Sequence, residues 1–587
     1  MCASRGRRRG HLLLRFAAHL LSLGVLLALT TLACTNKDVS FDSGPDALPD
    51  EVVLGDEVVC ANPVSGFNRF EEQGAQRGLD LDLTPYDEVG GCNYIPSALV
   101  AQDLDNDGDP DLAFNNPNGF PYLYENDGGQ FTQRVVNWSL PDASRISMAF
   151  SAVDLNGDSL PDILLVAENL LLVSWNTGDF GFTDFQVLYD EPAYPRICLA
   201  SMAVGDVDSD GDLDIALPGL DEVLEAGFVA PGSGDWLPTP DRLFINQGHN
   251  TFEPWGIYSP ADGFSLTVAF TDRDNDGDLD LFAGTDRPFD QYPPMAFLTN
   301  TGNTSQGPIL TDEAPELEAD IRVSAMGLGV HDMNGDGLYD YCMTDISFDL
   351  TCLMSVPGQA YYEAGASLGL TVDLTMHPDV PDDYEQKLNQ GNFVGTAWAS
   401  WGLAVIDLDN DANLDVVATA GPPPDYGSPY TSDLHGFQPE WIWQGTPSGG
   451  FETRILETGY HSTNWNYSIV TADFDGDGYR DWVLGPSEGR PAFRSNPCGE
   501  GNWLEVELLG IGDNAEAFGA RVEFTAGGVT QVQEMHNLLA VGQSISRLHF
   551  GLGDVEEGTL KVRFPDRTVV EAKVPVNRLV TVSHPER

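Results

Sequence analysis

Asp103-Leu104-Asp105-Asn106-Asp107-Gly108-Asp109-Pro110-Asp111 sets five carboxylates within nine residues. The same pattern begins again at Asp154, Asp206, Asp272, Asp332, Asp407 and Asp473. Acidic or amide residues stand first, third, fifth and ninth, and glycine is usually sixth. A repeat that recurs about every 50 to 75 residues means an array of similar units, whatever else the chain contains.

Five like charges in one turn repel, so each loop calls for a cation. Oxygen-only ligands, with no His or Cys among them, suit a hard ion, and the high ligand number suits calcium better than magnesium. The expected ligands in the first loop are Asp103, Asp105, Asp107, Asp109 and Asp111, and in the second Asp154, Asn156, Asp158, Leu160 and Asp162. The third loop offers Asp206, Asp208, Asp210, Asp212 and Asp214, and the fourth Asp272, Asp274, Asp276, Asp278 and Asp280. The fifth has Asp332, Asn334, Asp336, Leu338 and Asp340, and the sixth Asp407, Asp409, Asp411, Asn413 and Asp415. Asp473, Asp475, Asp477, Tyr479 and Asp481 complete the seventh, giving up to seven Ca2+ ions. The seventh position varies freely, as expected where only the backbone carbonyl binds. Glycine at the sixth position tolerates positive φ. Ser159 and Ala412 replace it in the second and sixth loops. If φ is positive there, each costs roughly 1–2 kcal/mol and weakens its site.

Short apolar runs flank each loop, such as Met202-Ala203-Val204 before and Ile215-Ala216-Leu217 after. Runs of this length, bounded by turn residues, read as buried strands, so each loop closes a β-hairpin. Arg242–Asn246 and Ala296–Asn300 supply third strands. Each unit has room for about four strands, the content of one propeller blade. The expected fold is all-β: a seven-bladed β-propeller over 60–497, then a small β domain over 498–587. An open solenoid is the alternative, but its repeats are shorter and more uniform.

The loops and their flanks resemble FG-GAP/VCBS repeats, the blades of integrin-α-type propellers, over roughly 95–495. That resemblance implies calcium as a structural ion in each loop. Asn502–Val506, Phe518–Val522, Arg547–Gly553 and Val562–Asp566 are similar to the ASPIC/UnbV domain of the cartilage acidic protein family. Phe70-Glu71-Glu72 through Leu79, and Tyr361-Tyr362-Glu363 through Leu370, resemble a short segment that recurs in that family. The family resemblance implies an extracellular, calcium-associated protein with no general biochemical activity attached.

Arg5, Arg7, Arg8, Arg9 and Arg15 precede an apolar run from Phe16 to Ala33. A charged start, an apolar middle and small residues at the end describe a secretory signal over 1–33. Cys34 follows Thr31-Leu32-Ala33 and resembles a bacterial lipoprotein cleavage site, with simple cleavage after Ala33 or an uncleaved anchor as alternatives. The polar, acidic stretch 34–59 reads as a flexible tether. Export to a cell-surface or outer-membrane lipoprotein is expected, or otherwise secretion.

The chain carries a net charge of −63, with 28 basic against 91 acidic residues. So acidic a surface repels phosphates and excludes a general nucleic-acid binder. Membrane contact is expected only through the lipid or signal segment. Cys60, Cys92, Cys198, Cys342, Cys352 and Cys498 remain beyond Cys34, enough for three disulfides in an oxidising compartment. Cys342 and Cys352 flank a hairpin and are the expected pair. No His-Glu-x-x-His motif occurs, and Gly485-Pro486-Ser487-Glu488-Gly489 fits a nucleophile-elbow string without its strand-to-helix setting. The expected function is non-enzymatic adhesion or capture of a protein or glycan ligand. The alternative is a polysaccharide-active or other hydrolytic propeller enzyme.

Overall fold

The computed structural model describes residues 48–587 apart from 68–69, 84–97, 117–118, 140–146, 168–169, 191–200, 220–240, 258–264, 286–293, 306, 348, 378–379, 381–397, 422–437, 456–464, 487–488 and 540–541. The signal segment, Cys34, Cys92 and Cys198 lie outside the described residues. Among those residues no helix is long and apolar enough to cross a membrane.

Each nine-residue loop joins the first two strands of a four-stranded antiparallel meander, as its apolar flanks predict. The first strand ends at the loop and the second begins on the loop's last aspartate. Blade 1 is Leu99–Gln102, Asp111–Phe114, Tyr122–Asn126 and Phe131–Arg134. Blade 2 is Ser147–Val153, Asp162–Ala167, Leu170–Ser174 and Gln186–Asp190. Blade 3 is Met202–Gly205, Asp214–Leu217, Arg242–Asn246 and Phe252–Ile257. Blade 4 is Ser265–Thr271, Asp280–Thr285, Ala296–Thr304 and Gly307–Asp312. Blade 5 is Leu328–His331, Asp340–Met343, Thr351–Met354 and Tyr362–Glu363, and blade 6 Ser400–Ile406, Asp415–Ala420, Trp441–Gly445 and Phe451–Thr453. Blade 7 takes only Asn466–Ala472, Asp481–Pro486 and Ala492–Ser495 from the end of the array. Its fourth strand is Glu71–Glu72, paired antiparallel with Arg494 and Ser495. The N-terminal segment thus closes a β-propeller, and the open solenoid is excluded.

The second strands are buried along their whole length, for instance all six residues of Asp280–Thr285. Packing between neighbouring blades covers both faces, which is why these strands are continuously apolar rather than alternating. Each fully buried Val, Leu, Ile or Phe contributes about 1.5–3 kcal/mol.

The two family-like segments have one structural job. Each is the fourth strand of a blade followed by a turn that reaches the fourth strand of the next. Gly78 (φ +94°) sits where a Cβ would lie 2.2 Å from the Phe131 carbonyl oxygen. At Gly369 (φ +90°) a Cβ would lie 2.5 Å from the Phe451 carbonyl oxygen. Only glycine fits both the conformation and the approach.

Two further sheets form the C-terminal domain. One orders Val52–Leu54, Arg578–Ser583, Asn502–Leu509 and Leu548–Gly553, and the other Val529–Glu534, Arg521–Ala526, Glu557–Arg563 and Val569–Pro575. Val52–Leu54 corrects the expectation of a flexible tether through 59. This short apolar triplet pairs with Val580–Val582 and buries Val52. Cys342 and Cys352 are bonded across adjacent strands as expected, and Cys60 is bonded to Cys498.

The last aspartate of each loop fastens the blade. Asp111 accepts Leu104 N–H on Oδ2 (2.8 Å) and Asn126 N–H, from the third strand, on Oδ1 (2.8 Å). The same bridge holds at Asp162, Asp214, Asp280, Asp340 and Asp415. The third-strand asparagine then reaches the neighbouring blade. Asn176 Nδ2 donates to the Leu104 carbonyl (2.8 Å), Asn300 to Val207 (2.9 Å) and Asn496 to Leu408 (2.8 Å). Asn126 donates to the Phe474 carbonyl (2.9 Å) and so ties blade 1 to blade 7. Asn126→Ala orphans that buried carbonyl and is expected to cost about 1–3 kcal/mol. Urea unfolding measures it, and an unchanged midpoint would show that the ring closes without this bond.

Candidate metal centres

All seven loops share one hydrogen-bonded scaffold. In the first, Asp103 accepts Asp107 N–H on Oδ1 (3.1 Å) and Gly108 N–H on Oδ2 (2.9 Å). Six of the seven first-position aspartates take both bonds, and Asp272 takes the one from Gly277 N–H. The fifth-position carboxylate accepts the seventh residue's N–H in every loop, whether that residue is Asp109, Leu160, Asp212, Asp278, Leu338, Asn413 or Tyr479. Indifference to that side chain fits a position used through its backbone.

The sixth position is left-handed throughout, including Ser159 (φ +69°) and Ala412 (φ +73°). The fourth position is left-handed as well, at Asn106, Gly157, Ser209, Asn275, Gly335, Asn410 and Gly476. Sequence reading passed over this second turn residue. Its signal was present, because every copy has Asn, Gly or Ser there, and Asn and Gly adopt that region most readily.

Oxygens of Asp103, Asp105 and Asp107 converge within 4.8 Å of one another. So do those of Asp206, Asp208 and Asp210, of Asp272, Asp274 and Asp276, and of Asp473, Asp475 and Asp477. In blade 6 the converging set is Asp407, Asp409 and Asp415. Ligands at the 2.3–2.6 Å of a calcium shell stand no more than about 5 Å apart, so the clusters match that ion. Blades 2 and 5 put an amide in the third place. Asn156 and Asn334 turn their Oδ1 to the N–H of Asp158 and Asp336, at 3.0 and 2.9 Å. The ninth-position oxygens already accept backbone N–H groups and have only their second lone pairs to offer, except Asp481 Oδ2, which is buried with no hydrogen-bond donor among the described residues.

The donor set asks for positive charge. Asp105 Oδ1, Asp208 Oδ1, Asp272 Oδ1, Asp409 Oδ1 and Asp475 Oδ1 are buried with no hydrogen-bond donor among the described residues. Burial, then the neighbouring carboxylates, pushes Asp105 and Asp208 up to about 6. Burial likewise lifts Asp206 to about 7 and Asp111 to about 9. Oxygen atoms held without donors, in carboxylates that resist ionising together, are what a divalent ion would satisfy.

The C-terminal domain sits on this rim and touches every loop. Arg547 donates to Gly108 O in blade 1, Arg587 to Ser159 Oγ in blade 2 and Arg521 to Gly337 O in blade 5. Arg563 and Arg567 pair with Asp272 and Asp278 in blade 4. Gly512 packs on Gly211 in blade 3, His549 binds Asn410 in blade 6, and Trp503 covers Gly478 in blade 7. From this domain the segment after Glu534 enters the ring. Asn537–Leu539 pairs with Met202–Val204, and Gly542 and Gln543 with Leu99 and Val100. Gln543 also binds Ser151 and Ala152, Ser544 binds Thr471, and Glu534 binds Thr271 and Asp272 N. The chain itself therefore lines up against the first strands of blades 1, 2, 3, 4 and 7. Nothing in the sequence marked this plug, because its residues are ordinary polar and apolar ones without a repeat.

Left-handed φ at Ala412 stores strain that glycine would not. Ala412→Gly is expected to raise stability by roughly 0.5–1 kcal/mol in calcium-free solution, measured by urea unfolding. A loss of stability would place the strain elsewhere.

An FG-GAP-like repeat model matches residues 103–165 and 154–217, and an ASPIC and UnbV model matches residues 510–587. No curated protein matches the chain. Among solved structures, an Agrocybe aegerita lectin that recognises non-reducing terminal N-acetylglucosamine is similar at 13% identity, over 68% of this chain and 94% of its own, with a TM-score of 0.39. Saccharomyces cerevisiae Sqt1 is similar at 9% identity, over 71% of this chain and 99% of its own, with a TM-score of 0.39. The chain carries FG-GAP-like repeats, in a propeller, followed by an ASPIC and UnbV domain.

Proposed function

We propose that this protein is an exported, calcium-stabilised, non-enzymatic binding module that presents a propeller face to a protein or glycan ligand. The observation that carries the reading is the unpaired buried carboxylate oxygen, repeated from loop to loop. Calcium would neutralise these clusters and stiffen the rim on which the C-terminal domain rests. Disulfides at Cys60–Cys498 and Cys342–Cys352 suit an oxidising compartment outside the cytosol. Cys34 would anchor the chain to a membrane surface through lipid.

The plug argues against the hydrolase alternative, which would need the central channel for substrate. The metal rim is likewise taken by the C-terminal domain. Ligand capture falls to the rim opposite the acidic loops. The long sequence connections 218–240, 371–397 and 420–440 carry Phe228, Trp236, Tyr384, Tyr426, Tyr430, His435 and Phe437, rings suited to such capture that lie outside the described residues.

Chelation tests the metal reading. Each site filled at a hundredfold excess over its Kd adds about 2.7 kcal/mol to the folded state. EGTA is expected to lower the melting temperature substantially, and calcium to restore it better than magnesium. An unchanged melt after verified metal removal would overturn structural calcium. Release of reducing ends from polysaccharides by the purified chain would instead favour the enzyme.

A further inference from the structure

Three ligand carboxylates share an arrangement that the repeat pattern does not encode. In blade 4, Arg563 Nη2 donates to Asp272 Oδ2 at 2.7 Å, beside the Gly277 N–H of the loop, while Asp272 Oδ1 stays buried without a donor among the described residues. Asp272 is only 3% exposed. In blade 7, Arg77 Nη2 donates to Asp475 Oδ2 at 2.8 Å, and Asp475 Oδ1 is the orphan. In blade 6, Gln444 Nε2 donates to Asp409 Oδ2 at 2.7 Å, and Asp409 Oδ1 is the orphan. One oxygen is held from outside the loop and the other is left free in each case.

We propose that Arg563, Arg77 and Gln444 are positioning residues for the metal loops, each fixing one oxygen of a ligand carboxylate so that the other is aimed at a divalent cation. The proposal rests on the calcium reading of the loops. Two of the three donors are cationic and one is neutral, so hydrogen-bond placement is the shared element and charge is not. A guanidinium that merely replaced the ion would satisfy both oxygens, and it satisfies one.

The donors are themselves held. Arg563 also donates to Asn275 Oδ1 (2.6 Å), the left-handed fourth residue of the same loop. Arg77 donates to Gln73 Oε1 (2.9 Å), Ser495 Oγ (3.1 Å) and Gly129 O (3.3 Å), and lies 4.7 Å over the Phe493 ring. Gln444 accepts Arg454 Nε–H at 2.8 Å. None of the three comes from the loop it serves. Arg563 is supplied by the C-terminal domain, Arg77 by the segment that closes the ring, and Gln444 by the third strand of its own blade. The blade 4 site is therefore complete only when the C-terminal domain is seated, and the blade 7 site only when the ring is shut.

Calcium titration of the full chain by calorimetry tests the role, alongside melts in calcium and in EGTA. Arg563→Gln is expected to weaken one site by about 10–100-fold, the usual effect of removing a partner behind a metal ligand. Its melt should drop in calcium more than in EGTA, and Arg563→Lys should recover part of the affinity. Arg77→Gln should do the same to a different site, and it decides the matter if Arg563→Gln fails to fold. Unchanged or tighter binding in both variants would overturn the proposal, as would equal drops in melting temperature with and without calcium. A parent chain that takes up no calcium would overturn the site reading itself, and that result is seen before any variant is made.

Discussion

In six of the seven blades, all but that of Asp481, a single carboxylate with two occupied oxygens organises the sheet. The ninth loop residue takes its own loop's N–H on one oxygen and the third strand's N–H on the other. Loop conformation and strand register are thereby set by the same side chain. In blades 1, 2, 4 and 7 an adjoining asparagine carries that order to the neighbouring blade. A ring built this way has no loose joint between its turns and its sheets.

The other aspartates pull against this order. Their carboxyls crowd together, lose water, and retain unpaired oxygens inside the rim. Cations are needed from somewhere, and the protein supplies part of the answer with arginines of its C-terminal domain. Arg521, Arg547, Arg563 and Arg567 all face loop carbonyls or carboxylates. A chain this acidic spends several of its few basic residues at one interface. The rim is thus a contact between parts of the molecule rather than a bare surface.

Much of the propeller was legible because its signals are local and repeated. Asp103 through Asp111 shows the turn, the hairpin and the crowded carboxylates in one window, and seven windows give the blades. Ser159 and Ala412 adopt the left-handed conformation that their position predicted. What stayed hidden depends on partners far along the chain. Phe70-Glu71-Glu72 is legible as the start of a recurring segment, but not as a strand of the last blade until Arg494 and Ser495 lie beside it. Val52–Leu54 was read as tether because its strand partner, Arg578–Ser583, lies at the far end of the sequence. Arg77 and Arg563 have no spacing relation to the loops they serve, so no pattern could assign them.

The pairing of early with late residues governs how the chain can be built. Val52 meets Val582, Glu71 meets Ser495, and Cys60 joins Cys498 across 438 residues. Contacts so distant in sequence make closure slow, because the ends must find each other after the loop-closure entropy has been spent. Blades can form in order as the chain emerges, but the first segment waits unpaired until the last sheets arrive. A chain cut short before Arg494 would keep an open edge on blade 7 and an unpartnered thiol at Cys60, and one cut before Arg578 would leave Val52–Leu54 without its strand partner. Folding of this chain is therefore complete only once Arg578–Ser583 has met Val52–Leu54.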